Sequence, residues 1–293
     1  RWDTSYGWAK GFDTFKVSKN AWENSAPNSG SICKSIQKNK NYNSFSFFHI
    51  DRVHQPILQF VESQSPNIYS SKILDAAENG NWYPALFEQI KSLDKIVYDI
   101  INTLKYENCY DDTLIILTGD HGISIPPKWK PGLEYALYDE HIRVPFIVKW
   151  PSWYNNKKGI NNSPNNASTN IFKIILDSLN IGLPKYFDHL PQNNDYYNEY
   201  AFSETIFHPN ENNYSLATIS KNEKYVVTYE MDWPKLKIKN LLSEKLFNLN
   251  KDSLSFNEED NLLLQNKINN DIKNISKKFI AENLKFGINS IEK

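Results

Sequence analysis

Cysteine, charge of one sign and long apolar runs are all scarce in this sequence. Only two cysteines occur among its 293 residues, Cys33 and Cys109, and neither belongs to a CxxC spacing. This excludes a disulfide framework and a cysteine zinc knuckle, so both are predicted to be free thiols. The 33 Lys and Arg residues are balanced by 34 Asp and Glu, which disfavours a nucleic-acid partner. No apolar run reaches about 18 residues, so no transmembrane helix is predicted in this chain.

The chain does contain enough apolar and aromatic material to form a folded core. Hydrophobic residues make up 40% of the sequence and aromatic residues 14%, a composition that excludes disorder throughout. A length of 293 residues predicts roughly one to two domains.

Strand and helix signals alternate in the first half of the chain. Apolar runs at residues 44–50, 114–118 and 144–150 predict strands, the first of them rich in aromatic residues. Apolar residues at three- and four-residue spacing predict a helix from Pro84 to Leu104. Since a strand, a helix and a strand of these lengths form a right-handed parallel crossover, we predict an α/β domain with a layered, mostly parallel sheet flanked by helices.

A smaller subdomain is predicted after residue 191. Residues 225–229 and 245–249 have the composition of short, paired strands, and apolar spacing from Glu258 onward predicts an amphipathic helix. The sequence therefore predicts an α/β domain over 1–191 and an α+β subdomain over 192–293.

The most informative stretch is 113–121, because its apolar strand leads directly into Asp120 and His121, which Gly122 follows. Ligands of open α/β sheets bind beyond the carboxyl ends of the strands. A glycine turn at this point can bring a carboxylate and an imidazole onto one cation. The alternative interpretation is a polar loop in which Asp120 caps the next segment. A carboxylate with an imidazole fits zinc, manganese or iron better than calcium, which prefers oxygen ligands alone.

Several segments in order along the chain resemble the sulfatase family of the alkaline phosphatase superfamily. The segments that carry the resemblance are GFDTF at 11–15, FFHIDRVHQP at 47–56, DDTLIILTGDHG at 111–122, YDEHIRVPFIV at 138–148, SET at 203–205, and KLFNL at 245–249 with the later NL at 261–262. The resemblance implies the layered α/β fold of that superfamily and a metal-dependent hydrolase of sulfate esters. It further implies one divalent metal ion, with Asp120 and His121 as two of its ligands. Family members with Asn after the Asp bind calcium, so His121 leaves calcium, zinc and manganese open.

The resemblance also implies roles for four other residues. His54 occupies the position where the family places a histidine near the sulfate or its leaving group, and an imidazole there could transfer a proton. Its alternative is a loop histidine that packs against Pro56. Lys128 and Lys130 precede the segment where the family has a sulfate-binding lysine, although both could equally be solvated. His208 belongs to a late loop that could line a substrate cleft.

One family feature is missing from these 293 residues. The nucleophile motif C/S-x-P-x-R, whose Cys or Ser becomes formylglycine, does not occur. We therefore expect the chain to be the C-terminal part of a longer or split protein, inactive alone, with the nucleophile in the missing N-terminal part. The predicted partner is a sulfated or phosphorylated small molecule or glycan. Two alternatives stay open, namely a phosphodiesterase or phosphoglycerol transferase relative, and a non-catalytic fragment that keeps the fold.

Overall fold

A computed structural model of the chain describes residues 9–15, 29–50, 53, 71–122, 137–154, 170–182, 184, 199–206, 212–250 and 270–291. The chain divides into two compact units. The first comprises Arg1–Thr113 with Ile125–Lys128, and the second comprises Leu114–Ser124 with Trp129–Lys293. The boundary proposed between residues 191 and 192 lies outside the described residues.

The described part of the first unit is helical, with α1 over Ser29–Asn39, α2 over Ser71–Glu78 and α3 over Tyr83–Tyr106. The helix predicted from Pro84 is α3, and Pro84 lies in its first turn, where the N–H that proline lacks would have had no helical partner. Helix α1 packs on α3 through Ile32, which is 1% exposed.

Polar contacts also join α1 to α3. The Cys33 thiol donates to the carbonyl oxygen of Asp99 at 3.6 Å, and Lys40 Nζ lies 2.6 Å from the Glu107 carboxylate. Cys33 and Cys109 are both free thiols, as predicted.

The aromatic run at 44–50 is not a strand, contrary to the prediction. None of its residues belongs to either sheet in the described part of the chain, and the rings of Phe45 and Phe47 are about 60% exposed. β-propensity expresses how a side chain fits a half-buried pleated surface. Aromatic composition alone therefore does not create a strand. The parallel crossover predicted between this segment and the next strand is wrong for the same reason.

The described elements of the second unit alternate between strands and helices. In chain order they are β1 Ile115–Thr118, α4 Asp139–Ile142, β2 Phe146–Lys149, α5 Ile171–Ser178, β3 Ala201–Ile206, β4 Asn213–Ile219, β5 Glu223–Asp232, a 3-10 turn Trp233–Lys235, β6 Lys237–Asn248 and α6 Asn270–Ile291. Within the described residues, no helix is both long and apolar enough to cross a membrane.

Strands β1 and β2 occur where apolar runs were predicted, but they pair antiparallel. Ile115 is opposite Lys149 and Thr118 is opposite Phe146. A parallel arrangement of these two strands is therefore wrong. Every residue of β1 is half-buried, so this strand is not fully covered on both faces as predicted. A hydrophobic run shows which residues avoid water, but it does not set the direction of the neighbouring strand.

Strands β3 to β6 form an antiparallel meander in the order β3-β4-β5-β6. The pairing predicted between 225–229 and 245–249 is confirmed, since Tyr225 is opposite Leu246 in the β5–β6 ladder. Apolar spacing at 169–179 also predicts a short helix, which is α5. The helix predicted from Glu258 is present as α6 from Asn270, while 251–269 lie outside the described residues.

Both faces of the meander are covered in the centre of the sheet. Because side chains alternate along a strand, Tyr225 and Val227 of β5 face α6, whereas Lys224 and Val226 face the other way. The α6 side is a buried cluster that contains Tyr214, Leu216, Tyr225, Val227, Tyr229, Met231, Leu246, Ile272, Phe279 and Ile280. The opposite side packs Ala217, Val226 and Phe247 against Leu137, Tyr138 and Ile142.

A polar network fixes α6 to the sheet. Tyr225 donates a hydrogen bond to Glu244, whose carboxylate is also 2.6 Å from Lys273 Nζ on α6. Burial, and then the hydrogen bond to Glu244, raises the pKa of Tyr225 well above its ordinary value. Burial opposes ionisation of Glu244, but the contacts from Lys273 and Tyr225 outweigh it and lower its pKa.

Alkaline pH should destabilise the second unit through Tyr225. Because the folded pKa is raised, this group's contribution is complete below the unfolded value of about 10 and is lost as pH rises above it. Replacing Tyr225 by Phe should reduce the alkaline slope of the unfolding free energy by up to about 1.4 kcal/mol per pH unit. Urea titrations at several pH values would measure it. Tyr98→Phe, at a 63% exposed ring, should leave the slope unchanged, and an equal change in both variants would contradict the prediction.

Candidate active site

The turn that follows β1 is held closely against α4. The Gly122 N–H donates to the carbonyl oxygen of His141 at 2.7 Å. A Cβ atom at Gly122 would lie 1.9 Å from the carbonyl oxygen of Glu140, a distance that no side chain tolerates. Glycine is therefore required at position 122 by the close approach of two backbone segments. This approach fixes where Asp120 and His121 leave the strand.

Asp120 and His121 converge at this turn, which is open to solvent. Asp120 Oδ2 lies 3.8 Å from His121 Nε2, and the side chains are 62% and 57% exposed. The other carboxylate oxygen of Asp120 accepts the His121 backbone N–H at 2.9 Å. One carboxylate oxygen of Asp120 thus caps the local backbone, as in the alternative interpretation. The second oxygen faces the imidazole of His121.

The backbone also selects a tautomer of His121. Its Nδ1 atom lies 2.8 Å from the carbonyl oxygen of Gly122. A carbonyl oxygen can only accept, so Nδ1 carries the hydrogen, and in the neutral ring the lone pair is on Nε2. Metal-binding histidines in proteins usually donate their second ring N–H to a carbonyl or a carboxylate in this way.

The donor atoms present fit part of a metal site. Two atoms 3.8 Å apart can share one cation at bond lengths of about 2.0 to 2.3 Å. Within the part of the chain that the structure describes, no group of three or more His, Cys, Asp or Glu side chains could hold a metal ion. Asp120 and His121 would therefore contribute two ligands to a shell that other groups complete.

Four predicted site residues lie outside the described residues, namely His54, Lys128, Lys130 and His208. Their assignments stay predictions from the sequence, as does the expectation that His54 shares a sheet edge with Asp120.

A buried ion pair supports the segment on which the turn rests. Lys224 Nζ lies 2.6 Å from Asp139 Oδ1, and the two side chains are 1% and 11% exposed. Arg143 Nη1 lies 3.9 Å from the other oxygen of Asp139. Since Asp139 begins α4 and the next two residues contact Gly122, this pair connects the turn to the meander sheet.

Sequence reasoning missed the pair of Lys224 with Asp139. The available signal was the strand 223–232, in which Lys224 alternates with apolar residues that face α6. This alternation predicts that the Lys224 side chain lies on the face of the sheet opposite α6. A lysine that is buried there needs an acidic partner.

Replacing Gly122 by Ala should disrupt the turn. The added methyl group would force the backbone at 120–122 away from α4, which should destabilise the second unit by about 1–3 kcal/mol. It should also weaken metal binding about 10- to 100-fold, as loss of a supporting contact does at other metal sites. Thermal melting and calorimetric metal titration would measure both.

A matched control exists for this substitution at Gly182. A Cβ there would meet nothing within 4 Å, so Gly182→Ala should leave melting and metal binding unchanged. A Gly122→Ala protein that matches this control in both measurements would show that the close approach does not constrain the site.

Comparisons with known proteins identify the family of this chain. The sequence pattern of the sulfatase family matches residues 21–181, which is more than half of the chain. The mixed α/β fold of the described elements is consistent with this match. The chain belongs to the sulfatase family.

Individual relatives show how much of a sulfatase is represented. An N-acetylgalactosamine-6-O-sulfatase of Bacteroides thetaiotaomicron is 26% identical over 188 residues, which cover 56% of this chain and 36% of the relative. A sulfatase structure from work on glycosaminoglycan metabolism in the same bacterium has a TM-score of 0.57 at 20% identity, over 86% of this chain and 53% of that one. The Ps i-CgsB protein, solved with k-i-k-neocarrahexaose, has a TM-score of 0.52 at 15% identity, over 87% and 54%. The two structures show a shared fold, and the chain spans less than two thirds of each relative's length.

Proposed function

We propose that this protein contributes to the hydrolysis of sulfate esters on a sulfated carbohydrate, with a divalent metal ion held in part by Asp120 and His121. The observation that supports it is the fixed turn after β1, where a carboxylate oxygen and an imidazole nitrogen lie 3.8 Å apart in a chain of the sulfatase family. The hydrolysis breaks the bond between sulfur and the sugar oxygen. Water supplies a hydroxyl group to sulfur and a proton to the departing alcohol.

The residues of this chain have separate roles in the proposal. Asp120 and His121 hold the metal, which when bound draws negative charge from the sulfate group. His54 is the candidate acid that protonates the leaving sugar oxygen. Lys128 and Lys130 are candidates to bind sulfate oxygens, and His208 is a candidate to contact the rest of the glycan. No C/S-x-P-x-R motif occurs in these 293 residues, so none of them is assigned the role of nucleophile.

The donor chemistry keeps more than one metal under consideration. A nitrogen ligand beside a carboxylate favours zinc or manganese, whereas calcium prefers oxygen ligands. The tautomer of His121 supports a nitrogen ligand, because the lone pair is on the atom that faces Asp120.

A sulfated glycan is the proposed substrate class. It is supported by the names of the relatives, which include an N-acetylgalactosamine-6-O-sulfatase and a protein solved with a neocarrahexaose. The proposal therefore extends to sulfated glycans as a class.

Sulfate release tests the proposal directly. The 293-residue chain and the longest reading frame that contains it would be incubated with chondroitin 6-sulfate and carrageenan oligosaccharides, with chelator and with zinc, manganese or calcium added back. We expect metal-dependent sulfate release from the longer protein and none from the 293-residue chain. Hydrolysis of bis-p-nitrophenyl phosphate in a parallel assay, without any release of sulfate, would favour the phosphodiesterase alternative. Glycan binding without turnover by the longer protein would favour the non-catalytic one.

A further inference from the structure

A cavity lies beside the meander sheet, on the face that α6 covers. Its volume is about 490 Å³. Its wall includes Glu204 of β3, Tyr214 of β4, Trp233 of the 3-10 turn, and Asn283 of α6. This volume is within the range of roughly 300–1,000 Å³ that small-molecule sites occupy. None of its lining residues belongs to the turn that carries Asp120 and His121.

The wall combines aromatic rings with separate polar groups. The Tyr214 and Trp233 rings meet edge to face, with centroids 6.4 Å apart. The Tyr214 hydroxyl donates to Glu204 at 2.7 Å, which orients the carboxylate at the cavity wall. Thr205 and Asn283 add further polar groups, whereas no Lys or Arg is among the described residues that line the cavity.

The backbone next to Trp233 is held in an unfavourable conformation. Leu236 lines the cavity and has φ of 49°, a left-handed conformation that bulky residues rarely adopt. Its N–H donates to the carbonyl oxygen of Trp233 at 3.1 Å, which closes the turn that carries the indole ring. Such strain is concentrated at ligand sites, where the surrounding structure maintains it.

We propose that this cavity binds one or two uncharged sugar units of a glycan. Aromatic rings pack against the apolar faces of a pyranose, and a carboxylate, an amide and a hydroxyl can hydrogen-bond its ring hydroxyls. Among the described lining residues no cation balances the Glu204 carboxylate, which repels sulfate and carboxylate groups, so an unsulfated unit is favoured over a sulfated one. The choice of a saccharide rests on the proposed function, whereas the cavity and its charge do not.

Binding of neutral saccharides tests this assignment. The 293-residue chain would be titrated calorimetrically, in chelator, with cellobiose, N-acetyllactosamine, neoagarotetraose and a chondroitin 6-sulfate tetrasaccharide. We expect at least one neutral saccharide to bind with a dissociation constant of roughly 1 mM or below, and the sulfated one more weakly. Trp233→Ala should lower the affinity about ten-fold, Trp233→Phe should restore most of it, and Glu204→Gln should reduce the preference for neutral over sulfated saccharide.

Two further variants separate binding from folding. Trp153, which is 55% exposed and is not a lining residue, provides the control Trp153→Ala, expected to bind as the wild type does. Because Trp233 also packs on the buried cluster, Asn283→Ala gives a second lining variant with less effect on stability, and it should weaken binding several-fold. Absence of neutral-saccharide binding to the folded wild type would overturn the proposal. Equal affinity of Trp233→Ala and Trp153→Ala for the neutral saccharide would also overturn it. So would binding of tetramethylammonium where no sugar binds. The titrations in chelator measure saccharide binding alone. A failure of the proposed sulfate hydrolysis is therefore distinguished from a failure of this proposal.

Discussion

Replacing Asp120 by Asn should lower the rate of sulfate release by about 1,000-fold, which corresponds to roughly 4 kcal/mol of transition-state stabilisation. Asn has the same shape as Asp and keeps an oxygen that can accept the His121 N–H, so the turn should persist. The substitution removes only the negative charge and one ligand oxygen. The loss would therefore report on metal binding and not on folding. The measurement is kcat for the longest reading frame with saturating zinc, manganese or calcium.

A matched substitution is available eight positions earlier. Asp112 is exposed and precedes β1, so Asp112→Asn makes the same chemical change away from the turn and should retain wild-type kcat. Calorimetric titration should show a metal affinity that is at least ten-fold weaker for Asp120→Asn alone. Wild-type turnover and metal binding by Asp120→Asn would remove this residue from the proposed ligands.

Replacing Lys224 by Met should strongly destabilise the second unit. The lysine is 1% exposed and lies 2.6 Å from Asp139. Its removal takes away the cation nearest to a largely buried carboxylate, and breaking such a pair costs about 3–5 kcal/mol. Because Asp139 begins the segment that contacts Gly122, metal affinity should fall as well. Urea denaturation at neutral pH would give the change in unfolding free energy.

Two further variants test whether burial of the Lys224–Asp139 pair causes this loss of stability. Lys239 forms an exposed pair with Glu230 at 3.7 Å, so Lys239→Met should change stability by no more than about 1 kcal/mol. The double variant Lys224→Met with Asp139→Leu removes both charges and should recover part of the lost stability. Similar losses from Lys224→Met and Lys239→Met would mean that burial does not determine the strength of the pair.

The sequence predicted those elements whose signals are local. Helix α3 was predictable because a proline marks its start and its apolar residues recur at helical spacing. The pairing of β5 with β6 was predictable because both segments are rich in residues that suit strands and turn residues separate them. The 44–50 segment and the direction of β2 against β1 were not, since both depend on which distant backbone supplies hydrogen bonds. No periodicity in a single segment contains that information.

The same distinction applies to the site. Asp120, His121 and Gly122 are adjacent in sequence, so their chemistry and the need for a turn could be inferred together. Lys224 is 85 positions away from Asp139 in the sequence. Nothing distinguishes this lysine from the others until the strand pattern places it on the face of the sheet opposite α6. The cavity beside Trp233 was not predicted either, because its wall combines residues of β3, β4, β5, the 3-10 turn and α6.

The meander also determines how the second unit assembles during synthesis. Strands β3 to β6 are neighbours both in sequence and in space, so their contacts are local and can form quickly once residue 248 has left the ribosome. Helix α6 begins only at Asn270. Until α6 has been synthesised, the face with Leu216, Tyr225 and Val227 is exposed to solvent. A stalled or truncated chain would present that apolar surface to chaperones and proteases.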